Sequence, residues 1–285
     1  MIIGRVADMK ALTDDDIAAG LRRLGLTEES SVVVHASLRS FGKVEGGAAA
    51  VVSALTTVCG TVTMMAGSGD LTSVPAPPGL IRPQNAHRNA ESWEAFEAAV
   101  EAATPYRLDL PVSRWLGVIA EALRTSPGAV RGPHPLNSFV AVGEHAAELI
   151  GGERLDLPHG ALHRLAEIGG DVLLLGVGHT ANTTIHVAEH RLGRGRFYRY
   201  ARHGSGLWVE LPNLGGESHR FDEIEPYLMP MTTETMIGPC RARRIAVDDV
   251  LEIATEVIRA DPIALLCGDD LCRCGGSAAQ ILGRR

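Results

Sequence analysis

Thr183, His186 and Glu189 lie three residues apart in the stretch DVLLLGVGHTANTTIHVAE, residues 171–189. On a helix that spacing sets a hydroxyl, an imidazole and a carboxylate on roughly one face. A histidine flanked in this way can be held in one tautomer and used as a general base. His186 is the candidate base, with Glu189 and Thr183 as its candidate supports. A histidine near a helix start is also a common structural residue, and spacing alone leaves that reading open.

The elements that must carry these groups are legible around them. Asp171–Val177 is a short Leu/Val run closed by Gly176 and Gly178, the pattern of a buried strand. Asn182 and Thr183 then suit a helix start. Strand, turn and helix follow in order, and ligands of open α/β sheets bind at such strand ends.

The rest of the chain alternates in the same way. Thr13-Asp14-Asp15-Asp16 predicts a capped helix through Ile17, Leu21 and Leu24. Strands are predicted at 31–34, 61–65, 139–142 and 207–211. Helices are predicted at 47–55, 92–103, 116–123, 144–150 and 247–259. The Pro/Gly/Asn-rich stretch 71–87 predicts a long surface loop. Residues 191–202 hold five arginines interleaved with Phe197, Tyr198 and Tyr200, and 217–225 is acidic and polar. The alternation argues α/β. Without an internal repeat or low-complexity linker, one domain over 1–285 is expected, with a smaller acceptor-side subregion from about 193.

Composition bounds the function. The 285 residues are 45% hydrophobic, ample for a sizeable core. No apolar run is long enough to span a bilayer, and the N-terminus has no signal-peptide pattern, so a cytoplasmic protein is expected. The net charge of −7 disfavours nucleic acid and anionic membranes and suits a cationic substrate. Five cysteines, three of them at 267, 272 and 274, argue against a disulfide framework.

Four spaced blocks together resemble one family. The first is His35-Ala36-Ser37-Leu38-Arg39-Ser40-Phe41-Gly42 followed by Gly46-Gly47, and the second is Gly60-Thr61-Val62. The third runs from Leu116 to Arg124, then Pro127-Gly128, then Arg131-Gly132-Pro133-His134-Pro135 with Ser138. The fourth is Leu174–Gly178 with Asn182-Thr183, His186 and Glu189. In this order they resemble the aminoglycoside 3-N-acetyltransferases, also called antibiotic N-acetyltransferases. Ala66 and Ala120 stand where that family usually has proline, the first near the expected substrate cleft.

The resemblance implies an α/β fold, a mixed sheet core with flanking helices, distinct from the commoner acetyltransferase fold. It implies acetyl transfer from acetyl-CoA to the 3-amino group of the deoxystreptamine ring of an aminoglycoside. By it, His186 is the catalytic histidine and Glu189 and Thr183 are its support; the resemblance leaves position 179 variable, and adjacent His179 is expected to line the pocket. The amine must be deprotonated to attack, so a positioned base helps, and direct attack in a ternary complex then suffices. An acetyl-cysteine route is the rival. The same chemistry on another amine, or non-catalytic binding of an aminoglycoside or CoA, are the alternative functions. Monomer and homodimer are both open.

For the CoA phosphates and pantetheine arm, the candidates are His35, Ser37, Leu38, Arg39, Ser40 and Gly42 beyond a strand end, with Arg131 and His134. The alternative is a salt-bridged Arg39, with Ser37 only shaping the turn. A polycationic acceptor asks for carboxylates, and Asp70, Glu217, Asp222, Glu223 and Glu225 are the candidates, Glu217 and Asp70 first. Cys272 and Cys274, with Cys267 and a distant His219, could hold zinc, against free or redox-sensitive thiols.

Overall fold

The computed structural model describes residues 10–80, 89–194, 197–269 and 272–283. The expected loop at 71–87 therefore lies partly outside the described residues. Among the described residues, ten strands form two sheets. They are β1 (Ser31–Ala36), β2 (Thr61–Met65), β3 (Ser73–Val74), β4 (Val130–Arg131), β5 (Phe139–Gly143), β6 (Asp171–Leu175), β7 (Phe197–Arg202), β8 (Trp208–Leu214), β9 (Thr233–Ile237) and β10 (Cys240–Ala246). The larger sheet runs β4-β5-β2-β1-β6-β10-β9, and the smaller runs β3-β7-β8.

The large sheet is parallel at its centre and antiparallel at its flanks. β1 pairs in parallel with β2 and with β6, whereas β5 and β10 add on antiparallel. Central strands covered on both faces need near-continuous apolar sequence. SVVVHA and DVLLL supply it, and every β6 residue is buried.

Strand alternation divides the core into two layers. Val32, Val34, Val62, Met64, Leu173 and Leu175 face one way, onto helices Asp14–Arg23, Gly47–Val58 and Val118–Arg124. Val33, Val172, Leu174 and Phe139 face the other, onto helices Gly160–Glu167, Thr184–Arg191 and Val247–Ala260. The expected α/β architecture with a mixed sheet and flanking helices is the observed one. Thr13 caps the first helix in a capping box with Asp16, as its sequence pattern predicts.

Three of the longer strands escape the sequence pattern. β7 lies in the Arg-rich stretch, and β9 and β10, TETMI and CRARRIA, carry charge among their apolar residues. Those charges find partners: Arg241 bridges Glu234 and Glu225, and Arg243 bonds Glu225 and the Val177 carbonyl. No helix among the described residues is long and apolar enough to cross a membrane.

Candidate active site

β1 stands between β2 and β6, so the chain leaves it to one side and returns on the other. The carboxyl ends of these parallel strands open a crevice at that switch point. A cleft of about 550 Å³ sits there, within the range of small-molecule sites. Val34, His35 and Ala36 reach it from β1, and Met64 and Met65 from β2. Val177 and Thr180–Thr183 reach it from the segment after β6, and His186 from the helix that follows.

His186 Nδ1 lies 2.7 Å from Glu189 Oε2. An ionised carboxylate only accepts, so a neutral imidazole in this contact carries its proton on Nδ1 and leaves Nε2 its lone pair. Glu189 is 8% exposed, and its other oxygen is 3.5 Å from the buried Arg194 guanidinium. The carboxylate is thus held from both ends. Gly215 lies against the ring: a Cβ there would come within 2.6 Å of His186 Cδ2. Phe221 packs on another side, 4.8 Å between centroids.

Thr183 lines the cleft, but its link to His186 is through the backbone: His186 N donates to Thr183 O at 3.0 Å. The expected hydroxyl support for the imidazole is therefore absent from the hydrogen bonds of the described residues. His179, unlike Thr183, does not line the cleft. It is buried, with its Nδ1 3.3 Å from Asn182 Nδ2, and burial beside Arg243 pushes its pKa down to about 4. Asn182 takes the lining position, its Oδ1 accepting from Thr184 N.

The candidates for CoA separate into two groups. His35 lines the cleft, and desolvation pushes it down to about 4, so it stands neutral. Leu38, Arg39 and Ser40 form a 3₁₀ turn ended by Gly42 at φ +72°. Arg39 is exposed on that turn and has no ion-pair partner among the described residues, against the salt-bridged alternative. Ser37 N donates to Leu175 O, which closes the turn onto β6.

The other group is structural. Ser40 Oγ points back to the Ser37 carbonyl at 2.7 Å and touches Cys240. Leu38 packs on the core. Arg131 is 8% exposed and donates to the carbonyls of Ala66, Leu108 and Leu110 and to Ser68 Oγ, so its donors are spent inside the fold. His134 is fully buried, and its Nδ1 accepts from Leu136 N and Asn137 N. Spacing could not reveal that both side chains turn inward to hold the loop before β5.

Among the expected acidic residues, only Glu217 lines the cleft. Asp70 accepts from Arg114 N at 2.8 Å and fixes the turn that carries Trp115 to the cleft. Asp222 accepts from Thr180 N, and its carboxylate fills the space a Cβ on Gly178 would need. Glu223 pairs with Arg220, and Glu225 with Arg241 and Arg243. These carboxylates bind the loops together rather than facing the cleft.

Sequence reasoning missed His159, Asn137, Arg199 and Trp115, all of which line the cleft. His159 stacks on His186, centroids 6.0 Å apart and planes 11° from parallel. Burial pushes its pKa well below the usual value, so it meets His186 as a neutral ring. The only signal for it was a histidine before a glycine at a helix start. At the C-terminal cysteines, the mutually close set is His219, Cys267 and Cys272 rather than one with Cys274 in Cys267's place.

Comparison with known proteins places the chain in a family. The family model described as aminoglycoside 3-N-acetyltransferase matches residues 33–259. A prophage-derived aminoglycoside N(3')-acetyltransferase-like protein of Bacillus subtilis, YokD, is 31% identical over 222 residues, 74% of this chain and 79% of its own. Aminoglycoside N(3)-acetyltransferase III of Serratia marcescens is 34% identical over 180 residues, 62% of this chain. That match spans 64% of the Serratia protein's length. Among solved structures, the apoenzyme of aminoglycoside acetyltransferase AAC(3)-IVa superposes with a TM-score of 0.75 at 26% identity, covering 94% of this chain and 98% of its own. With the family model spanning most of its length and a crevice at the switch point beside its chemistry-bearing helix, the chain belongs to the aminoglycoside 3-N-acetyltransferase family, a family of acyl-transferring enzymes.

Proposed function

We propose that this chain transfers acetyl from acetyl-CoA to the 3-amino group of an aminoglycoside's deoxystreptamine ring, with His186 as general base. The observation that carries this is the 2.7 Å contact between His186 Nδ1 and Glu189 inside the cleft. With Nδ1 turned to that carboxylate, Nε2 is the nitrogen left to act as the base. The structural relatives support the ligand classes. One crystal structure is an AAC(3)-IVa histidine-to-alanine variant in complex with a gentamicin, 25% identical. Another, a fold-level neighbour, is the AAC-IIIb binary complex with CoASH.

The step balances within the ternary complex. The neutral acceptor nitrogen attacks the thioester carbonyl, His186 Nε2 takes the proton the nitrogen sheds, and the tetrahedral intermediate collapses with loss of the C–S bond. CoA leaves as thiolate and takes the proton from the imidazolium, which Glu189 has stabilised meanwhile. A cysteine intermediate has no candidate in the cleft lining among the described residues. The apolar wall of Met64, Met65 and Leu116 suits the pantetheine arm, and exposed Arg39 suits a CoA phosphate. Glu217 suits an acceptor ammonium. The whole chain acts as one unit whose acceptor side begins near residue 193, and it works in the cytoplasm, where acetyl-CoA is supplied.

The test is thiol release from acetyl-CoA over a panel of aminoglycosides and simpler amines, with the product's acetylated nitrogen located by NMR. Arg39→Ala should raise the KM for acetyl-CoA, and Glu217→Gln the KM for the acceptor. Thiol release with simple amines but no aminoglycoside would favour another amine substrate. Binding of both ligands without release would mean a non-catalytic protein.

A further inference from the structure

A second cluster lies outside the chemistry above. Cys267 Sγ, Cys272 Sγ and a ring nitrogen of His219 all lie within 4.8 Å of one another. Cys272 Sγ is 3.5 Å from His219 Nε2, although the two residues are 53 positions apart. Cys274, two positions after Cys272 in the chain, is buried next to this set but outside it. All five cysteines are free thiols.

We propose that His219, Cys267, Cys272 and Cys274 form a structural zinc site that clips the C-terminal tail to the acceptor wall of the cleft. Three thiolates and one imidazole are a donor set that selects zinc. Sulfurs on a tetrahedral zinc with bonds of about 2.3 Å stand about 3.8 Å apart, so His219, Cys267 and Cys272 need only a small contraction, and Cys274 moves in to complete the set. Four protein ligands leave no open position, which makes the site structural rather than catalytic. Loading displaces the three thiol protons to solvent. A Cys267–Cys272 disulfide, the competing fate of these thiols, would leave the imidazole beside them without a role.

The location gives the site a purpose. Residues 215–219 read Gly-Gly-Glu-Ser-His and contain no apolar side chain to anchor them in a core. Yet Gly215, Gly216, Glu217 and Ser218 line the cleft, and Gly215 lies against His186. A cross-link supplies the order that this loop's composition cannot. Glu217 Oε2 is also 3.6 Å from His219 Nε2, the nitrogen a metal would take. Metal loading and the position of the one carboxylate lining the cleft among the described residues are therefore coupled.

The experiment is elemental analysis of the whole protein, purified without chelator from zinc-supplemented medium. About one equivalent of zinc per chain is expected, and Cys267→Ser and Cys272→Ser should each lose it. His219 is surface-exposed, so His219→Ala tests the site in a variant that folds. Stripping zinc with a chelator should lower Tm by several degrees, with recovery on adding zinc back. The acceptor KM should then rise several-fold while that for acetyl-CoA holds. This last readout rests on the proposed function, whereas stoichiometry and Tm do not, so the two can fail separately. Protein that holds no zinc after supplementation, or thiol titration finding Cys267 disulfide-bonded to Cys272, overturns the site. So does undiminished zinc in the serine variants.

Discussion

The role proposed for His186 rests on its contacts more than on its exposure. Glu189 fixes the tautomer, Arg194 steadies Glu189, and Gly215 leaves the room the ring occupies. His159, stacked alongside and kept neutral by burial, adds no charge to oppose an imidazolium. General-base catalysis is worth about 10²–10⁴-fold, so His186→Ala should lose at least about two decades of kcat/KM. Tm should hold within a few degrees, since no core contact depends on the proton. Near-normal activity of that variant at neutral pH would remove His186 from the mechanism.

At the scale of elements, the turn after β6 decides where the helix that carries His186 begins. Gly176 sits at φ +67°, and a Cβ there would be 1.9 Å from Ser40 Oγ. The turns after β1 and β6 therefore interlock, with Ser40 held to the Ser37 carbonyl. Gly176→Ala forces a left-handed backbone on a residue with a Cβ, at about 1–2 kcal/mol, and adds the clash. We expect a loss of about 2 kcal/mol or more in urea unfolding. Ser40→Gly in the same chain should restore the steric part. If Gly176→Ala alone unfolds at the wild-type midpoint, the two turns do not interlock as described.

For the molecule as a whole, buried neutral histidines set the acid limit. His35, His134 and His179 are pushed by burial from 6.5 to about 4, 3 and 4. Their folded pKa values lie below the unfolded one, so below pH 6.5 the unfolded chain binds protons that the folded chain refuses. The stability they contribute is full above pH 6.5 and falls as pH drops toward about 4. Between those limits each costs up to about 1.4 kcal/mol per pH unit. Chemical denaturation at pH 7.5, 6 and 5 should show the midpoint falling steeply over the last interval. A flat profile from pH 7.5 to 5 would mean that these histidines titrate alike in both states.

The sequence by itself determined what is local or repetitive. The β-branched run of β1 and the Leu/Val run of β6 announced strands, Thr13 and Ser92 announced helix starts, and the 186–189 spacing announced the pairing of His186 with Glu189. Each depends on neighbours within one turn or one strand. β9 and β10 were hidden because their charged side chains are neutralised by partners elsewhere in the chain, which no periodicity reports. Arg131, His134 and Asp222 looked like ligand contacts because a polar group in a loop reads the same whether it faces a ligand or a carbonyl. Only the packed fold decided that they hold loops together. His159 and Arg199 enter the cleft for the same reason in reverse: distant segments are brought to the switch point by sheet order, and sheet order is fixed by long-range pairing rather than by local pattern.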